Sequence, residues 1–149
     1  MGEVVQQKAK KILQDLAEGR SGQRIGGLSV RGLQIKRVQK GLILCNFVIP
    51  KHLSNKDGNW HVGAIATLID AIGGITIISS VGLFKASVNF DVSYFSTAKI
   101  HEEVEIESKV LGQKGRLTSV IVEIRRKEDG EMVALGKLWM SSVKLFTKL

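Results

Sequence analysis

A long apolar segment with a single acidic residue constrains this chain more than any other feature. Asp70 is the only ionisable residue between His61 and Lys85. A charged carboxylate in apolar surroundings raises the free energy of the folded state, so such a group is usually neutralised, paired with another group or used in catalysis. At about 100° per residue, the neighbours of Asp70 on its helical face are small, and the large aliphatic side chains fall on the other faces. The small residues are Gly63, Ala66, Thr67, Gly73 and Gly74, and the large ones are Ile65, Leu68, Ile69, Ile72, Ile75 and Ile78. The segment predicts a helix with one acid on a stripe that leaves room for a ligand or a second backbone.

Three interpretations of this helix compete. Residues 62–84 are long enough to span a membrane, which takes about 20 apolar residues. An acid at the centre of a span costs roughly 2.5–3.5 kcal/mol, however, and the segment has two adjacent glycines and no basic cluster at its C-terminal end. We therefore expect a helix inside a globular protein. Its acid is either simply hydrogen-bonded to a neighbour or does chemistry, and the helix alone does not decide between these two.

The overall charge limits the partners that this chain can have. A formal net charge of +8 over 149 residues favours anionic partners such as nucleic acid, anionic lipid or a small phosphate-bearing ligand. The basic residues are scattered and form no recognisable nucleic-acid motif, so we expect no nucleic-acid partner. Cys45 is the only cysteine, which excludes an internal disulfide, fits a reducing compartment and suggests a structural thiol. The first helix lacks the apolar core of a signal peptide, so the expected location is the cytoplasm, with peroxisome or mitochondria as alternatives.

The order of predicted elements indicates the fold. An amphipathic helix over residues 5–16 and a glycine-rich linker to about residue 24 come first. Two strands, at residues 28–38 and 42–49 and joined at Lys40-Gly41, precede the long helix. Four further strands follow it, at residues 87–94, 104–110, 117–125 and 132–143, with a hairpin at Glu128-Asp129-Gly130. A six-stranded antiparallel sheet can bury an all-round apolar helix only by curling around it. The prediction is one α+β domain over residues 1–149 with the hotdog fold: a curled antiparallel β-sheet wrapped around one long central helix, with an N-terminal helix.

Two motifs resemble one family. Residues 55–70 contain Asn55, His61-Val62-Gly63 and Asp70, and they resemble the Asn–spacer–His-Gly-Gly…Asp signature of single-hotdog acyl-coenzyme A (CoA) thioesterases. These are the bacterial phenylacetyl-CoA type and the small eukaryotic acyl-CoA type. The segment that begins Ser87-Val88-Asn89-Phe90 and continues through Tyr94, Ser96 and Ala98 resembles the strand that follows in that family. The resemblance covers about residues 25–145.

The resemblance implies a role for each matching residue. Asp70 is the expected general base, or alternatively a nucleophile, for attack on the thioester carbonyl. Asn55 is expected to hold the water or the acyl oxygen, and His61 to orient the thioester. The backbone N–H of Val62, with that of Gly63, is the expected oxyanion hole, and Ser87 of a partner subunit is expected to complete the site. The chain departs from the family in carrying Val62 where glycine is usual. This change leaves the backbone N–H in place but narrows the space expected for the thioester.

Elementary chemistry supports a shared site and suggests where CoA binds. The first turn of a helix offers N–H groups without intrahelical partners at the positive end of the helix dipole, which suits an oxyanion. Asp70 lies nine residues after His61, about two and a half turns away, so a site that uses both needs a second chain or a substrate running along the helix. For the CoA phosphates we expect Lys114 and Arg116, in a turn whose glycine admits close approach, with Tyr94 and Ser96 also contacting CoA.

The resulting hypothesis is an acyl-CoA thioesterase that needs no metal and no cofactor, since CoA is part of its substrate. The last two strands carry apolar residues at both odd and even positions, so both of their faces are apolar. This predicts that the outer side of the sheet packs on another subunit. We therefore expect a homodimer at least, and by resemblance a dimer of dimers. A non-catalytic hotdog that binds acyl-CoA or acts as a scaffold, and a hotdog dehydratase or hydratase, are the alternatives. The sequence leaves the acyl group open.

Overall fold

The computed structural model describes residues 2–20, 25–82 and 85–142, and it consists of one sheet, one central helix and two covering helices. The helices are α1 (Gly2–Ala17), α2 (Ile25–Val30) and α3 (Val62–Val81), with a 3₁₀ turn at Lys51–Leu53. The strands are β1 (Gln34–Gln39), β2 (Leu42–Val48), β3 (Lys85–Tyr94), β4 (Glu103–Lys114), β5 (Leu117–Arg126) and β6 (Met132–Ser142). All strand pairs are antiparallel, in the order β1-β2-β4-β5-β6-β3. The predicted six-stranded sheet around a long central helix is confirmed.

The core lies between α3 and the inner face of the sheet. Alternate residues of the strands are buried there, as the period of two requires. They include Ile43, Phe47, Val104, Ile106, Val120, Val122, Ile124 and Leu138. Helix α1 covers α3 from another side with Ala9, Leu13 and Ala17, a stripe at intervals of four residues. Cys45 is 1% exposed in this core, in agreement with the predicted structural thiol, and burial raises the pKa of its thiol to about 12.

One predicted strand was wrong in its first part. Residues 28–38 were expected to be extended, but residues 25–30 form α2 and β1 begins only at Gln34. A short apolar run does not reveal its conformation by periodicity, so packing decides. Val30 is fully buried, α2 packs against α3, and Gly32 turns the chain with φ 94°. The predicted hairpins at Lys40-Gly41 and at residues 128–130 are confirmed.

Helix α3 is held in one rotational position by close packing and by buried hydrogen bonds. The Thr76 and Ser108 hydroxyls lie 2.6 Å apart and join α3 to β4, and the Ser79 hydroxyl accepts a 3.0 Å hydrogen bond from the backbone N–H of Gly41. Ile69 lies directly over Gly136 of β6, where any Cβ would overlap its Cγ2 atom. These contacts determine which residues of α3 face away from the sheet. Within the described part of the chain, α3 is the one helix long and apolar enough to cross a membrane, and most of it is buried in the protein.

Candidate active site

A short antiparallel hairpin carries the chain into α3 and fixes Asn55. The N–H of His61 donates to the Leu53 carbonyl at 2.8 Å, and the N–H of Asn55 donates to the Asn59 carbonyl at 2.8 Å. The Asn55 side-chain oxygen accepts from the backbone N–H groups of Asp57 and Asn59, at 3.0 and 3.1 Å. This oxygen therefore stabilises the loop, and the exposed side-chain NH₂ of Asn55 is the part that can donate to a ligand.

His61 caps the first turn of α3. Its Nδ1 atom accepts a hydrogen bond from the N–H of Gly63 at 3.0 Å. The imidazole must therefore carry its proton on Nε2, and this exposed N–H is available to donate to a ligand. A side chain at position 63 would lie 3.1 Å from the imidazole, so glycine permits this cap. Because the Gly63 N–H is occupied, the predicted pair of oxyanion donors is reduced to Val62. The Val62 N–H has no hydrogen-bond partner among residues 2–20, 25–82 and 85–142.

Tyr94 lies beside this helix start, whereas Ser96 is engaged elsewhere. The Tyr94 hydroxyl donates to the Val62 carbonyl at 3.0 Å, and burial raises the pKa of its phenol. The Ser96 hydroxyl donates to the Met132 carbonyl at 2.7 Å and so joins the end of β3 to β6. Tyr94 therefore belongs to the helix-start group with Asn55, His61 and Val62, and the one donor of Ser96 is already used.

Asp70 and Ser87 form a second group. The Ser87 hydroxyl donates to Asp70 Oδ1 at 2.5 Å, within one chain. Ser87 meets the acid of its own chain because β3 lies next to β6 and runs beside α3; that Ser87 completes the site of a partner subunit stays a prediction. The prediction that Asp70 is surrounded by apolar groups was wrong for the single chain. Asp70 is exposed, since the sheet covers the aliphatic faces of α3 and leaves the stripe of small residues open.

The two groups do not meet within one chain. Asp70 lies eight residues after Val62 on the same helix, a rise of about 12 Å. The turn with Lys114 and Arg116 lies farther still from the helix start, because β4 pairs with the loop-side end of β2 at Glu103 and reaches Lys114 eleven residues later, about 36 Å along the strand. It lies nearer to the Asp70–Ser87 group, since Ser87 and Thr118 both pair with Met140 of β6 and are therefore about 10 Å apart across the sheet. The structure brings His61, Val62 and Tyr94 together, with Asn55 in the loop that precedes them, and it joins Asp70 to Ser87. It separates the helix start from Lys114 and Arg116.

A pocket beside His61 was not anticipated from the sequence. It has a volume of about 350 Å³ and lies between α2, the 3₁₀ turn and the first two turns of α3. Its lining residues are Ser29, His52, Leu53, Ser54, His61, Gly63, Ala64 and Thr67. These lining residues lie far apart in the sequence and come together only because residues 25–30 form a helix. No local sequence pattern therefore predicts the pocket. No cluster of three or more His, Cys, Asp or Glu side chains able to hold a metal occurs in the described ranges.

Comparison with known proteins identifies the family. Residues 57–133 match the model of the thioesterase superfamily. A curated relative, acyl-coenzyme A thioesterase 13 of Homo sapiens, is 25% identical over 132 residues, which cover 88% of this chain and 91% of that protein. The crystal structure of zebra fish thioesterase superfamily member 2 superimposes with a TM-score of 0.82 at 24% identity, over 89% of this chain and 96% of that one. A hypothetical thioesterase from Streptococcus pneumoniae TIGR4, solved with coenzyme A, has a TM-score of 0.70 at 24% identity, covering 74% and 84%. Structural likeness at this identity shows the shared hotdog fold, and the family match over more than half of the chain shows the membership: the chain belongs to the thioesterase superfamily.

Proposed function

We propose that this protein hydrolyses the thioester bond of fatty-acyl or aryl-acyl CoA to a free acid and CoA. Membership of the thioesterase superfamily, a relative named as an acyl-CoA thioesterase and a structural neighbour solved with CoA support this substrate class. The observation that carries the proposal is the exposed Asp70–Ser87 pair together with the unpartnered Val62 N–H at the exposed start of the same helix. A base and an oxyanion donor are the two groups that thioester hydrolysis needs.

Each group has a role in the proposed reaction. Asp70 accepts a proton from a water molecule as the water oxygen attacks the thioester carbonyl, and the Ser87 hydroxyl orients the carboxylate. The oxyanion that forms lies at the Val62 N–H, where one such donor typically contributes about 10²–10³ in rate. The Nε2–H of His61 and the side-chain NH₂ of Asn55 are the further donors at the helix start. Collapse of the tetrahedral intermediate breaks the C–S bond, and the CoA thiolate takes up the proton that Asp70 accepted, which restores the carboxylate.

The distance of about 12 Å along α3 requires that the two groups act from different copies. In the proposed homodimer, the helix-start group of one copy faces the Asp70–Ser87 group of the other. The edges of the sheet differ in a way that favours this arrangement. Edge strand β1 carries exposed Lys36 and Arg37, as protected edges do, whereas edge strand β3 exposes Val88 and Phe90, at 55% and 42%. Pairing of two β3 edges extends the sheet across the dimer.

The dimer of dimers remains a separate proposal that concerns the outer face of the sheet. Trp139 is 40% exposed there and Ile121 is partly exposed. Two dimers that pack through this face would cover both side chains. This agrees with the apolar residues found on both faces of β5 and β6.

An Asp70→Asn variant tests the proposed base. It should fold normally and lose about 10²–10⁴ in kcat for thiol release from acyl-CoA, because an amide cannot accept the proton. Asp15→Asn is the matched control, since it changes an acid of α1 with surface ion pairs only. Unchanged kcat in Asp70→Asn would contradict the general-base role. No turnover of any acyl-CoA by the parent protein, combined with CoA binding, would favour the non-catalytic binding alternative instead.

Mixing two inactive variants tests the shared site. Asp70→Asn and Asn55→Ala damage different groups, so in a mixed dimer one site carries both defects and the other carries none. After subunit exchange at equal concentrations, about a quarter of the parental rate should return, since half of the dimers are mixed and each has one intact site. A site made within one chain predicts no recovery, and that result would contradict the proposed dimer.

A further inference from the structure

The peptide group between Val62 and Gly63 is held at both ends by side chains. The Tyr94 hydroxyl donates to the Val62 carbonyl at 3.0 Å, and the Gly63 N–H of the same peptide group donates to His61 Nδ1 at 3.0 Å. A peptide carbonyl and its N–H are conjugated, so a hydrogen bond accepted by the oxygen makes the N–H a stronger donor. The phenol, the peptide group and the imidazole therefore form one continuous series of hydrogen bonds.

Every donor in this series points toward His61, and the series ends at the exposed Nε2–H of that residue. Because Nδ1 accepts a hydrogen bond, the neutral ring carries its proton on Nε2. Hydrogen bonds arranged head to tail polarise one another and strengthen each other by roughly 10–30% per bond. The Tyr94 hydroxyl thus makes the Nε2–H of His61 a better donor, although the two groups are not in contact.

Tyr94 is the one member of the series that the rest of the fold places. His61 and Gly63 are close in the sequence and meet in the first turn of α3, whereas Tyr94 comes from β3, where it pairs with the buried Ala134 of β6. Glycine allows the backbone more freedom than other residues, so the local cap alone fixes the peptide group less firmly than a cap braced from the sheet. Burial raises the pKa of the Tyr94 phenol above its ordinary value of 10.0, and the hydroxyl therefore stays a donor at neutral pH.

We propose that Tyr94 is a positioning residue of the oxyanion site, which acts through the Val62–Gly63 peptide group to hold the His61 ring with its Nε2–H directed at the thioester oxygen. The inference rests on the proposed thioesterase function. A hydrogen bond from Nε2–H to that oxygen strengthens as the carbonyl becomes an oxyanion, because hydrogen bonds to charged groups are stronger than those between neutral groups. Loss of the Tyr94 hydroxyl should therefore lower kcat more than it raises KM. If the hydroxyl only joins β3 to α3, its loss should lower stability alone.

Tyr94→Phe tests the proposal because it removes the hydroxyl and keeps the ring. In thiol release from acyl-CoA, kcat should fall about tenfold and KM should stay within about twofold of the parent. Thr76→Val is the matched control, since it removes a hydroxyl that joins α3 to β4 at a point about 21 Å along the helix from Val62. It should lower Tm and leave kcat within about twofold at a temperature where circular dichroism shows the protein to be folded. Parental kcat in Tyr94→Phe would overturn the proposal. A rise in KM at unchanged kcat would do the same, since it would assign the hydroxyl to substrate binding.

A double variant separates the positioning of His61 from other effects of the hydroxyl. His61→Ala removes the last member of the series, so adding Tyr94→Phe to it should cost less than about twofold in kcat, against about tenfold in the parent background. The same tenfold loss in both backgrounds would mean that Tyr94 does not act through His61, and the proposal would be wrong.

The tautomer of His61 gives a measurement that needs no turnover. ¹⁵N NMR of the imidazole at about pH 9, where histidine is ordinarily neutral, distinguishes a protonated ring nitrogen from an accepting one. The chain has three histidines, and the signals that disappear in His61→Ala identify this one. The parent should show mainly the Nε2–H form. Tyr94→Phe should raise the share of the Nδ1–H form about fivefold, whereas Thr76→Val should not change it.

The two measurements together distinguish failure of the inference from failure of the proposed function. An unchanged tautomer in Tyr94→Phe would overturn the inference. If the tautomer shifts as expected but the parent hydrolyses no acyl-CoA, the proposed function fails while the placement of His61 by Tyr94 stands. Hydrolysis by the parent with unchanged kcat in Tyr94→Phe refutes the positioning role alone.

Discussion

Gly136 is the residue whose replacement should connect packing most directly to the proposed chemistry. It lies in β6 under α3, and an added Cβ would overlap Ile69 Cγ2 and lie 3.4 Å from Ile69 Cδ1. Carbon atoms in contact prefer about 3.5–4.0 Å, so Gly136→Ala must push Ile69 and its turn of α3 outward by roughly 1 Å. Overpacking of this kind costs about 1–3 kcal/mol. For a chain of this size that corresponds to a fall in Tm of about 4–10 °C.

The same displacement should lower activity more than it lowers stability. Asp70 follows Ile69 directly and moves with it. Its hydrogen bond with Ser87 is 2.5 Å long, and a shift of this size would break it. A misplacement of about 1 Å can cost about 10²-fold in rate. Gly136→Ala should therefore lose about a hundredfold in kcat at a temperature where circular dichroism shows it to be fully folded. KM should change little, because the helix-start group is not moved.

Two further variants make this prediction decisive. Gly112→Ala is the matched control in β4, two strands away in the same sheet, since its Cβ would have no heavy atom within 4 Å. It should change the free energy of unfolding by less than about 0.5 kcal/mol. Adding Ile69→Ala to Gly136→Ala removes the overlapping methyl group, so the double variant should be less destabilised than the sum of the two single changes. A parental Tm and kcat in Gly136→Ala, or strict additivity in the double variant, would refute the packing argument.

The remaining predictions concern the sheet edge, the CoA phosphates and the buried thiol. Phe90→Lys places a charge on the exposed β3 edge and should yield monomers in sedimentation velocity, with hydrolysis lost alongside; a stable active dimer would exclude this edge as the interface. Arg116→Ala should raise KM and leave kcat nearly unchanged if the turn of a second copy meets the CoA phosphates, and the effect should shrink as salt rises. Burial raises the pKa of Cys45 from 9.0 to about 12, so its contribution to stability is complete below about pH 9 and is lost as the pH rises toward 12. Urea unfolding of Cys45→Ala should accordingly show a flatter dependence on pH between 9 and 11 than the parent.

Sequence patterns predicted the fold well where the signal was local. The apolar run that became α3, the alternation in β3 and β4 and the two hairpins depend on periodicity and turn chemistry over a few residues. Helix α2 was missed because its short apolar run fits either conformation, and only packing against α3 selects the helix. The motif residues Asn55, His61 and Asp70 were identifiable because each stands out from its immediate neighbours.

The relations between these residues were not predictable from the sequence. The contact of Ser87 with Asp70 depends on the strand order, which places β3 beside β6 rather than beside β2. Loss of the Gly63 N–H as an oxyanion donor depends on the orientation of the His61 ring. The exposure of Asp70 depends on which faces of α3 the sheet covers. Each of these is a non-local fact, decided by packing across the whole domain.

The open surfaces of the single chain fit together physically when they are considered as one interface. The exposed side chains of Val88 and Phe90 on an edge strand are unusual for a protein that works as a monomer, and the exposed Asp70 carboxylate and the unpartnered N–H of Val62 lie close to them. All of them lie on the early half of α3 and on β3, the strand beside it. A two-fold axis on this surface would cover the apolar edge with its own copy and would run the two helices past each other in opposite directions. The small residues between Gly63 and Asp70 would then leave space for a substrate, and each copy would supply the group that the other lacks. Burial of the edge and completion of the site would thus have the same physical cause.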